Sequence, residues 1–390
     1  MAITRTKRTD RALPCETRAY NYTFRRGRPL RSIARIFWST SRIMQKSVLI
    51  VGNCSISPSG NQGVCIDLAR WLGDYNWNVI TTSSASGRLT RLIDMLGTVW
   101  LKRRAFGVAQ VDVFSGAAFI WAEAVCHLLQ RVHRPYVLTL HGGDLPRFAA
   151  RWPNRVRRLL LSAIAVTVPS GYMMDRMKEY RYDLLLLPNP ILLKAYNFKL
   201  RERCRPALIW LRAFHSVYNP SVAARTLFHV TQEFADAHLT MIGPDKGDGS
   251  LKRVREVLHE LTLVDRVMLP GAISKLQVPA FLDTADIFLN TTTIDNTPIS
   301  LLEAMACGLC IVSTRVGGIP YLLEDERDAL LVEPNDSAAM AQGVRRILKE
   351  PALARMLSQN ARKKAEQFEW STVLPKWDTL LSSAVATRGE

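Results

Sequence analysis

From Ser47 onward, short runs of aliphatic and β-branched residues alternate with stretches whose apolar residues recur at helical spacing. Ser47–Gly52 (SVLIVG) reads as a strand, followed by a glycine-rich turn and a helix over about Gln62–Tyr75. Asn78–Thr82, Gln110–Phe114, Tyr136–Leu140, Ala163–Val168 and Leu184–Leu187 read as further strands with helical patterns between them. Strands that are apolar throughout, rather than alternating, are buried on both faces, which predicts a parallel sheet covered by helices. Leu187-Pro-Asn-Pro-Ile191 interrupts the pattern, and a charged stretch runs from Lys194 to Arg205. The alternation restarts at Ala207–Leu211, Leu239–Ile242, Arg266–Leu269, Ile287–Asn290, Leu309–Ser313 and Ala329–Val332. The pattern predicts an α/β fold class with two parallel-sheet domains, 44–195 and 206–370, joined by a linker at 196–205. An amphipathic helix (Trp370–Ser382) opens the last segment, 371–390, and is expected to cross back over the linker. In open α/β sheets ligands bind beyond the carboxyl ends of the strands, so the cleft between the domains is the expected site.

Three places along this frame carry residues suited to chemistry. The first strand runs into Ser57-Pro-Ser-Gly60-Asn61-Gln62-Gly63 and a helix, where glycines let backbone N–H groups approach an anion. The loop is not G-x-G-x-x-G, and no acidic residue closes the second strand (Val79-Ile-Thr-Thr), so a nicotinamide dinucleotide is disfavoured. A plain tight turn explains the loop equally well. The fourth strand ends in His141-Gly142-Gly143-Asp144, which places a histidine at the cleft and an Asp where it can cap the next helix.

The strongest pattern is Asp295-Asn-Thr297-Pro298-Ile299-Ser300-Leu-Leu-Glu303-Ala-Met-Ala-Cys-Gly308, then a strand and Gly317-Gly318. Thr297 suits an N-cap and Pro298 the first helical position, so a helix start is expected to present free N–H groups to the cleft. Glu303 then lies roughly 7–8 Å further along the axis at the helical rise. Two carboxylates flanking an anion-binding helix end suit a ligand with hydroxyls on both sides of a diphosphate, the layout of a nucleotide-sugar. The competing reading, a turn aspartate and a solvated glutamate, fits poorly with the apolar neighbours of Glu303.

Over nearly all of residues 47–380 the chain resembles glycosyltransferase family 4 (glycosyl transferases group 1), retaining enzymes of the GT-B fold. The family pattern is Glu, seven residues, Glu, then L-L-E-A-M-A-x-G, a strand and G-G-I-P; here it reads Asp295, seven residues, Glu303, LLEAMACG and Gly317-Gly-Ile-Pro320. The resemblance implies two Rossmann-like domains, the first on the acceptor side and the second binding the nucleotide-sugar. It implies that Glu303 holds the nucleotide ribose, and that Asp295 with the backbone after it holds the donor sugar. The Gly60–Gly63 loop would approach the phosphates, His141 would sit beside the reacting carbon, and Arg212 would grip the diphosphate. Three departures stand out. Asp295 replaces a Glu; the Lys usual about five residues after the Arg is missing, with Lys246 a substitute from the next loop; Tyr321 and Cys310 stand where Glu and Pro are usual. The implied activity is sugar transfer from a UDP- or GDP-linked donor to an acceptor hydroxyl with retention, in polysaccharide or glycolipid biosynthesis. No Asp-x-Asp pair is present to hold a metal, and no cofactor is expected. Two other classes stay open: a GT-B sugar-nucleotide epimerase or hydrolase, and a silent nucleotide-sugar-binding homologue.

Net charge adds a separate question. The chain carries 52 Lys+Arg against 34 Asp+Glu, +18 in all, and residues 1–43 alone contribute half of that surplus. This segment reads as a disordered basic arm or as sequence upstream of the true start at Met44. A second basic run, Arg147-Phe-Ala-Ala-Arg151-Trp-Pro-Asn-Arg155-Val-Arg157-Arg158, combines five Arg with Phe148 and Trp152. It is expected either to be a solvated face or to meet an anionic membrane and a lipid-linked or membrane-proximal glycan acceptor. Nucleic acid is excluded as a partner because basic and aromatic residues are not interleaved as stacking platforms. The apolar run Leu159–Met174 is broken by Ser, Pro and Gly, so no transmembrane span is expected. Seven cysteines in mostly apolar surroundings fit a reduced, cytoplasmic protein, peripheral on the inner membrane face, with Cys307 and Cys310 in packing roles.

Overall fold

The structure, a computed structural model, describes residues 46–52, 64–83, 85 and 87–386. The basic segment 1–43, the loop holding Gly60, Asn61 and Gly63, and Cys15 and Cys54 lie outside the described residues. Strands β1 (Ser47–Val51), β2 (Asn78–Thr82), β3 (Val108–Val113), β4 (Tyr136–Leu140), β5 (Ala165–Val168) and β6 (Leu185–Leu186) form one parallel sheet, ordered β2-β1-β3-β4-β5-β6. Helices α1 (Val64–Asp74), α2 (Arg88–Leu101), α3 (Ala117–Arg131), α4 (Leu145–Arg151), α5 (Pro153–Leu161) and α6 (Gly171–Met177) lie between or after these strands. A second parallel sheet contains β7 (Ala207–Leu211), β8 (His238–Ile242), β9 (Val267–Gly271), β10 (Ile287–Asn290), β11 (Cys310–Thr314) and β12 (Leu330–Val332), ordered β12-β11-β10-β7-β8-β9. Its helices are α7 (Pro220–Thr231), α8 (Ser250–Glu260), α9 (Val278–Thr284), α10 (Ile299–Ala306), α11 (Ile319–Leu322), α12 (Ser337–Lys349) and α13 (Pro351–Ala365).

The burial pattern explains why these runs are strands. Every residue of β1, β4, β5, β10 and β11 is buried, whereas the edge strand β2 is partly exposed. Helices α2 to α6 share one core on one face of the first sheet. On its other face α1 packs with the last helix, α14 (Trp370–Ala386), whose Val373, Trp377 and Leu381 join Val48, Ile50 and Val108. Lys46 Nζ bonds Asp378 at 2.6 Å, and Trp71 stacks on Trp370 at 5.3 Å, so the chain's last helix is docked on its first sheet.

Each sheet reverses its strand order once. In the first, the chain steps from β2 across β1 to β3; in the second, it steps from β9 back to β10 beside β7. At such a switch point the connections diverge and leave a crevice beyond the strand ends. Gly52 follows β1 and Asp112 lies near the end of β3, while Arg212 follows β7 and the 291–298 loop follows β10. Topology alone therefore brings Arg212 and Asp295 to one place.

Several boundaries differ from the sequence pattern. Strand β3 starts at Val108, not Gln110, because Gly107 continues the ladder: its N–H donates to Ser47 O at 2.9 Å, and its missing side chain makes room for Val385. The charged stretch 194–205 is not merely a solvated linker. Arg201 is buried; it donates to the carbonyls of Lys199, Ala285 and Cys307 and pairs with Asp286 at 3.4 Å, clamping the chain onto the second domain. Cys307 and Cys310 are buried, and Cys310 lies 3.6 Å from Cys204, sulfur to sulfur. Among the described residues no helix is long and apolar enough to cross a membrane.

Candidate active site

Arg212 leaves β7 with its N–H bonded to Ile242 O at 3.0 Å. Gly243 at the end of β8 permits this approach: a Cβ there would stand 1.8 Å from Arg212 O. The guanidinium stacks on Tyr218, 4.2 Å from the ring centre, and pairs with the Asp295 carboxylate, while its buried Nε has no hydrogen-bond partner. Burial pushes the Arg212 pKa down; Tyr218 and Glu303 oppose that shift. A run of threonines locks the two loops together. Thr291 Oγ1 donates to Tyr218 O at 2.6 Å, and Thr293 N donates to Val217 O at 2.8 Å.

The Asp295 segment rests on Gly317 and Gly318. A Cβ on Gly317 would lie 2.0 Å from Asp295 O, and one on Gly318 would lie 2.1 Å from Asn296 O. Gly317 also takes a φ of +52°, which favours glycine, so Gly317 is required by both backbone and space and Gly318 by space alone. The start of α10 corrects two expectations. Pro298 is the N-cap rather than the first helical residue, because its ψ of 125° is extended, and helical geometry begins at Ile299. Thr297 does not cap the helix; its hydroxyl reaches across to Pro169 O on the first domain at 3.5 Å. With no side-chain cap, and with the Leu301 and Leu302 N–H groups donating to Pro298 O, the N–H groups of Ile299 and Ser300 are the ones left for a ligand, and Ser300 Oγ is likewise buried without a partner.

Glu303 is 6% exposed and accepts a hydrogen bond from Tyr196 Oη at 2.8 Å. Burial raises its pKa above the ordinary carboxylate range, while Tyr196, Lys275 and Arg212 pull it back. A cavity of about 360 Å³ holds Arg212, Tyr218, Lys246, Lys275, Ser300 and Glu303 along its walls. A second cavity, about 490 Å³, takes in His141, Gly142, Gly143, Asp144, Asn189 and Asp295, with Tyr218 common to both. The two carboxylates thus serve different lobes of one cleft.

In the second lobe His141 is stacked on Phe114 at 5.0 Å, and its Nε2 lies 2.9 Å from Asp112 Oδ1. Asp112 Oδ1 also accepts from Gln110 Nε2 at 2.8 Å. An Nε2–H donated to that carboxylate leaves Nδ1 as the acceptor for a hydroxyl in the lobe. Gly143 explains the paired glycines: a Cβ there would meet Ile294 Cγ2 at 3.0 Å and the Asp295 backbone at 3.3 Å. Asp144 stands at the N-cap of α4, but its side chain makes no cap bond. The domains also touch through Ser170 Oγ on Asn296 Oδ1, Tyr321 Oη donating to Asp175 at 2.9 Å, and Lys275 Nζ on Asp67 at 2.6 Å.

The structure therefore gathers His141, Arg212, Lys246, Asp295, Ile299, Ser300 and Glu303 in one cleft; Thr297 and Pro298 complete its loop. Tyr196, Tyr218, Lys275, Asp112 and Asn189 belong to it as well and have no sequence motif of their own. Among the described residues no three His, Cys, Asp or Glu side chains gather as metal ligands would. In the second basic run, Phe148 packs on Phe119 and Arg155 pairs with Glu123, leaving Arg147, Arg151, Arg157 and Arg158 exposed.

Residues 200–364 match the family model of glycosyl transferases group 1. The chain is similar to N-acetyl-alpha-D-glucosaminyl L-malate synthase of Bacillus anthracis, 27% identical over 63% of this chain and 66% of that relative, just under two thirds of its length. Among solved structures it resembles sucrose-phosphate synthase from Thermosynechococcus elongatus, with a TM-score of 0.72 at 18% identity over 88% of this chain and 100% of that one. It also resembles Anabaena HepE in complex with UDP and glucose, TM-score 0.68 at 16% identity over 87% and 100%. The two six-stranded parallel sheets with flanking helices are the GT-B fold.

Proposed function

We propose that this chain transfers a sugar from a UDP- or GDP-linked donor to an acceptor hydroxyl, with retention and without a metal or other cofactor. The observation that carries the reading is the two-lobed cleft: Glu303 in one lobe, Asp295 and His141 in the other, and Arg212 on Tyr218 between them. Glu303 accepts from the nucleotide ribose. Arg212, Lys246, Lys275 and the open N-terminus of α10 take the diphosphate, each charged contact being worth roughly 1.5–3 kcal/mol. Asp295, now occupied by Arg212, turns to the sugar hydroxyls when the diphosphate competes for the guanidinium. As the donor bond breaks, Arg212 and the α10 N–H groups stabilise the leaving diphosphate. The acceptor proton passes to a donor phosphate oxygen, and His141 orients the sugar.

The similarity to relatives named as glycosyltransferases and the UDP and glucose bound to HepE support a nucleotide-sugar donor. The acceptor is a glycan or a lipid-linked hydroxyl in polysaccharide or glycolipid biosynthesis, reached from the first domain. The protein works at the cytoplasmic face of a membrane, with the exposed arginines between Arg147 and Arg158 contributing about 1 kcal/mol each near anionic lipid. The test is nucleoside diphosphate release from a panel of UDP- and GDP-sugars by the parent chain, Arg212→Ala and Glu303→Ala. Acceptor-dependent release that falls in both variants is expected. Undiminished release in both would sink the site assignment, and equal release without acceptor would favour hydrolysis or epimerisation.

A further inference from the structure

Helix α2 covers the core with Met95 and Val99, as a surface helix should, but its outer side is not polar. Leu89 is 77% exposed, Ile93 69% and Leu101 76%, and Trp100 is also exposed. Leu89, Ile93 and Trp100 recur at i, i+4 and i+11 on one side of the helix, with the half-buried Leu96 at its edge packed against the core. A stripe of this kind, rimmed by charge, marks a contact surface rather than a solvated face. The ends of the stripe are basic: Arg88 opens the helix and Lys102, Arg103 and Arg104 follow it, against a single acid within α2, Asp94. The Arg103 guanidinium lies over the Trp100 ring at 4.6 Å, so the apolar end of the stripe is capped by a cation.

We propose that α2 lies in the interface of an anionic bilayer, its apolar stripe inserted among the acyl chains and its basic rim on the headgroups. An aromatic and aliphatic face bordered by cations is the composition of an interfacial helix. Two further features select a bilayer over a second protein. Helices α4 and α5, which bear the exposed arginines 147, 151, 157 and 158, belong to the same helical layer as α2 and share its core. Between α2 and α3 opens an apolar cavity of about 240 Å³, walled by Met95, Trp121 and Val125 and reaching Asp112, the partner of His141. A hydroxyl on an apolar carrier could thus pass from the bilayer toward the reacting lobe. The inference deepens the peripheral-attachment reading by naming the inserting element; only the passage of a carrier hydroxyl rests on the sugar-transfer reading.

The test is co-sedimentation of the full chain with vesicles of phosphatidylcholine mixed with phosphatidylglycerol, at moderate and high salt. The variants are Leu89→Glu/Ile93→Glu and, separately, Arg147→Glu/Arg151→Glu. The parent is expected to sediment with the vesicles and to keep a bound fraction at high salt, where charge contacts are screened. Leu89→Glu/Ile93→Glu should lose about tenfold or more in partitioning at both salts, since two large apolar side chains leave the hydrocarbon. Its unchanged melting temperature would show that the fold is intact. Arg147→Glu/Arg151→Glu should weaken binding only at moderate salt. The α2 variant sedimenting like the parent would overturn the proposal, leaving peripheral attachment standing if the arginine variant falls. A parent that stays in the supernatant would overturn both. A parent that dimerises without lipid, and a variant that is monomeric, would also overturn it by assigning the stripe to a second copy.

Discussion

Glu303 and Asp295 are eight positions apart on one loop and helix, yet they sit in contrasting surroundings. Glu303 is held by Tyr196 inside a lobe built from the second domain, where burial raises its pKa. Asp295 is held by Arg212 at the domain seam, in a lobe that is half His141, Gly143 and Asn189 from the first domain. A lobe made by one domain keeps its shape when the domains move; a lobe made by two is completed only when they meet. The first suits constant recognition of a nucleotide, and the second suits chemistry that must exclude water and admit an acceptor.

The largest expected effect falls on the residue that ties the lobes together, lining the first and pairing with Asp295 of the second. Arg212→Ala should lower turnover by about 10²–10³-fold, the usual cost of removing one donor to a developing anion. Arg212→Lys should not restore it, because a lysine lacks the planar face that stacks on Tyr218. Next comes Glu303→Ala, expected to weaken nucleotide binding by about 10–100-fold with a smaller effect on the bound-state rate.

Glu303 also has a pH signature. Its folded pKa is raised by burial, so its stabilising contribution is complete below the ordinary carboxylate range and is lost as pH rises through the raised value. Glu303→Gln removes that loss. Without ligand, the melting temperature of Glu303→Gln should therefore gain on the parent as pH rises from acid to neutral. A difference that is constant with pH would show that the first lobe does not hold a strained carboxylate.

The second lobe is tested by Asp112→Asn, which takes away the carboxylate that fixes the His141 tautomer. The rate should fall by about tenfold, with little change in nucleotide affinity. An effect on nucleotide binding instead would erase the division between the lobes. The smallest effect is expected for Tyr321→Phe, which removes one exposed bond between the domains to Asp175. It should leave the melting temperature nearly unchanged, because both partners are open to solvent.

The same contrast explains what could be read without a structure. The alternation of apolar runs gave both sheets, because parallel strands buried on two faces need no partner's identity to be recognised. The Asp295–Glu303 segment and Gly317-Gly318 were legible because a helix start and a close-packed glycine pair are local requirements. Thr297 and Pro298 were placed one position out, since cap preference could not foresee that the Thr297 hydroxyl would cross to Pro169. Tyr196, Tyr218 and Lys275 were invisible for a different reason. They come from the interdomain stretch, the loop after β7 and the loop after β9, and only the strand order puts them against Glu303 and Arg212. Arg201 had no signal beyond its place in a charged stretch, yet it is buried and satisfied by three carbonyls.

The most direct measurement is calorimetric titration of UDP and GDP into the parent chain and into Arg212→Ala. One of the two nucleotides should bind the parent at a single site, and Arg212→Ala should weaken that binding at least about tenfold, the equivalent of one charged contact. Absence of binding to the parent, or equal affinity in both proteins, would contradict a diphosphate held between the lobes.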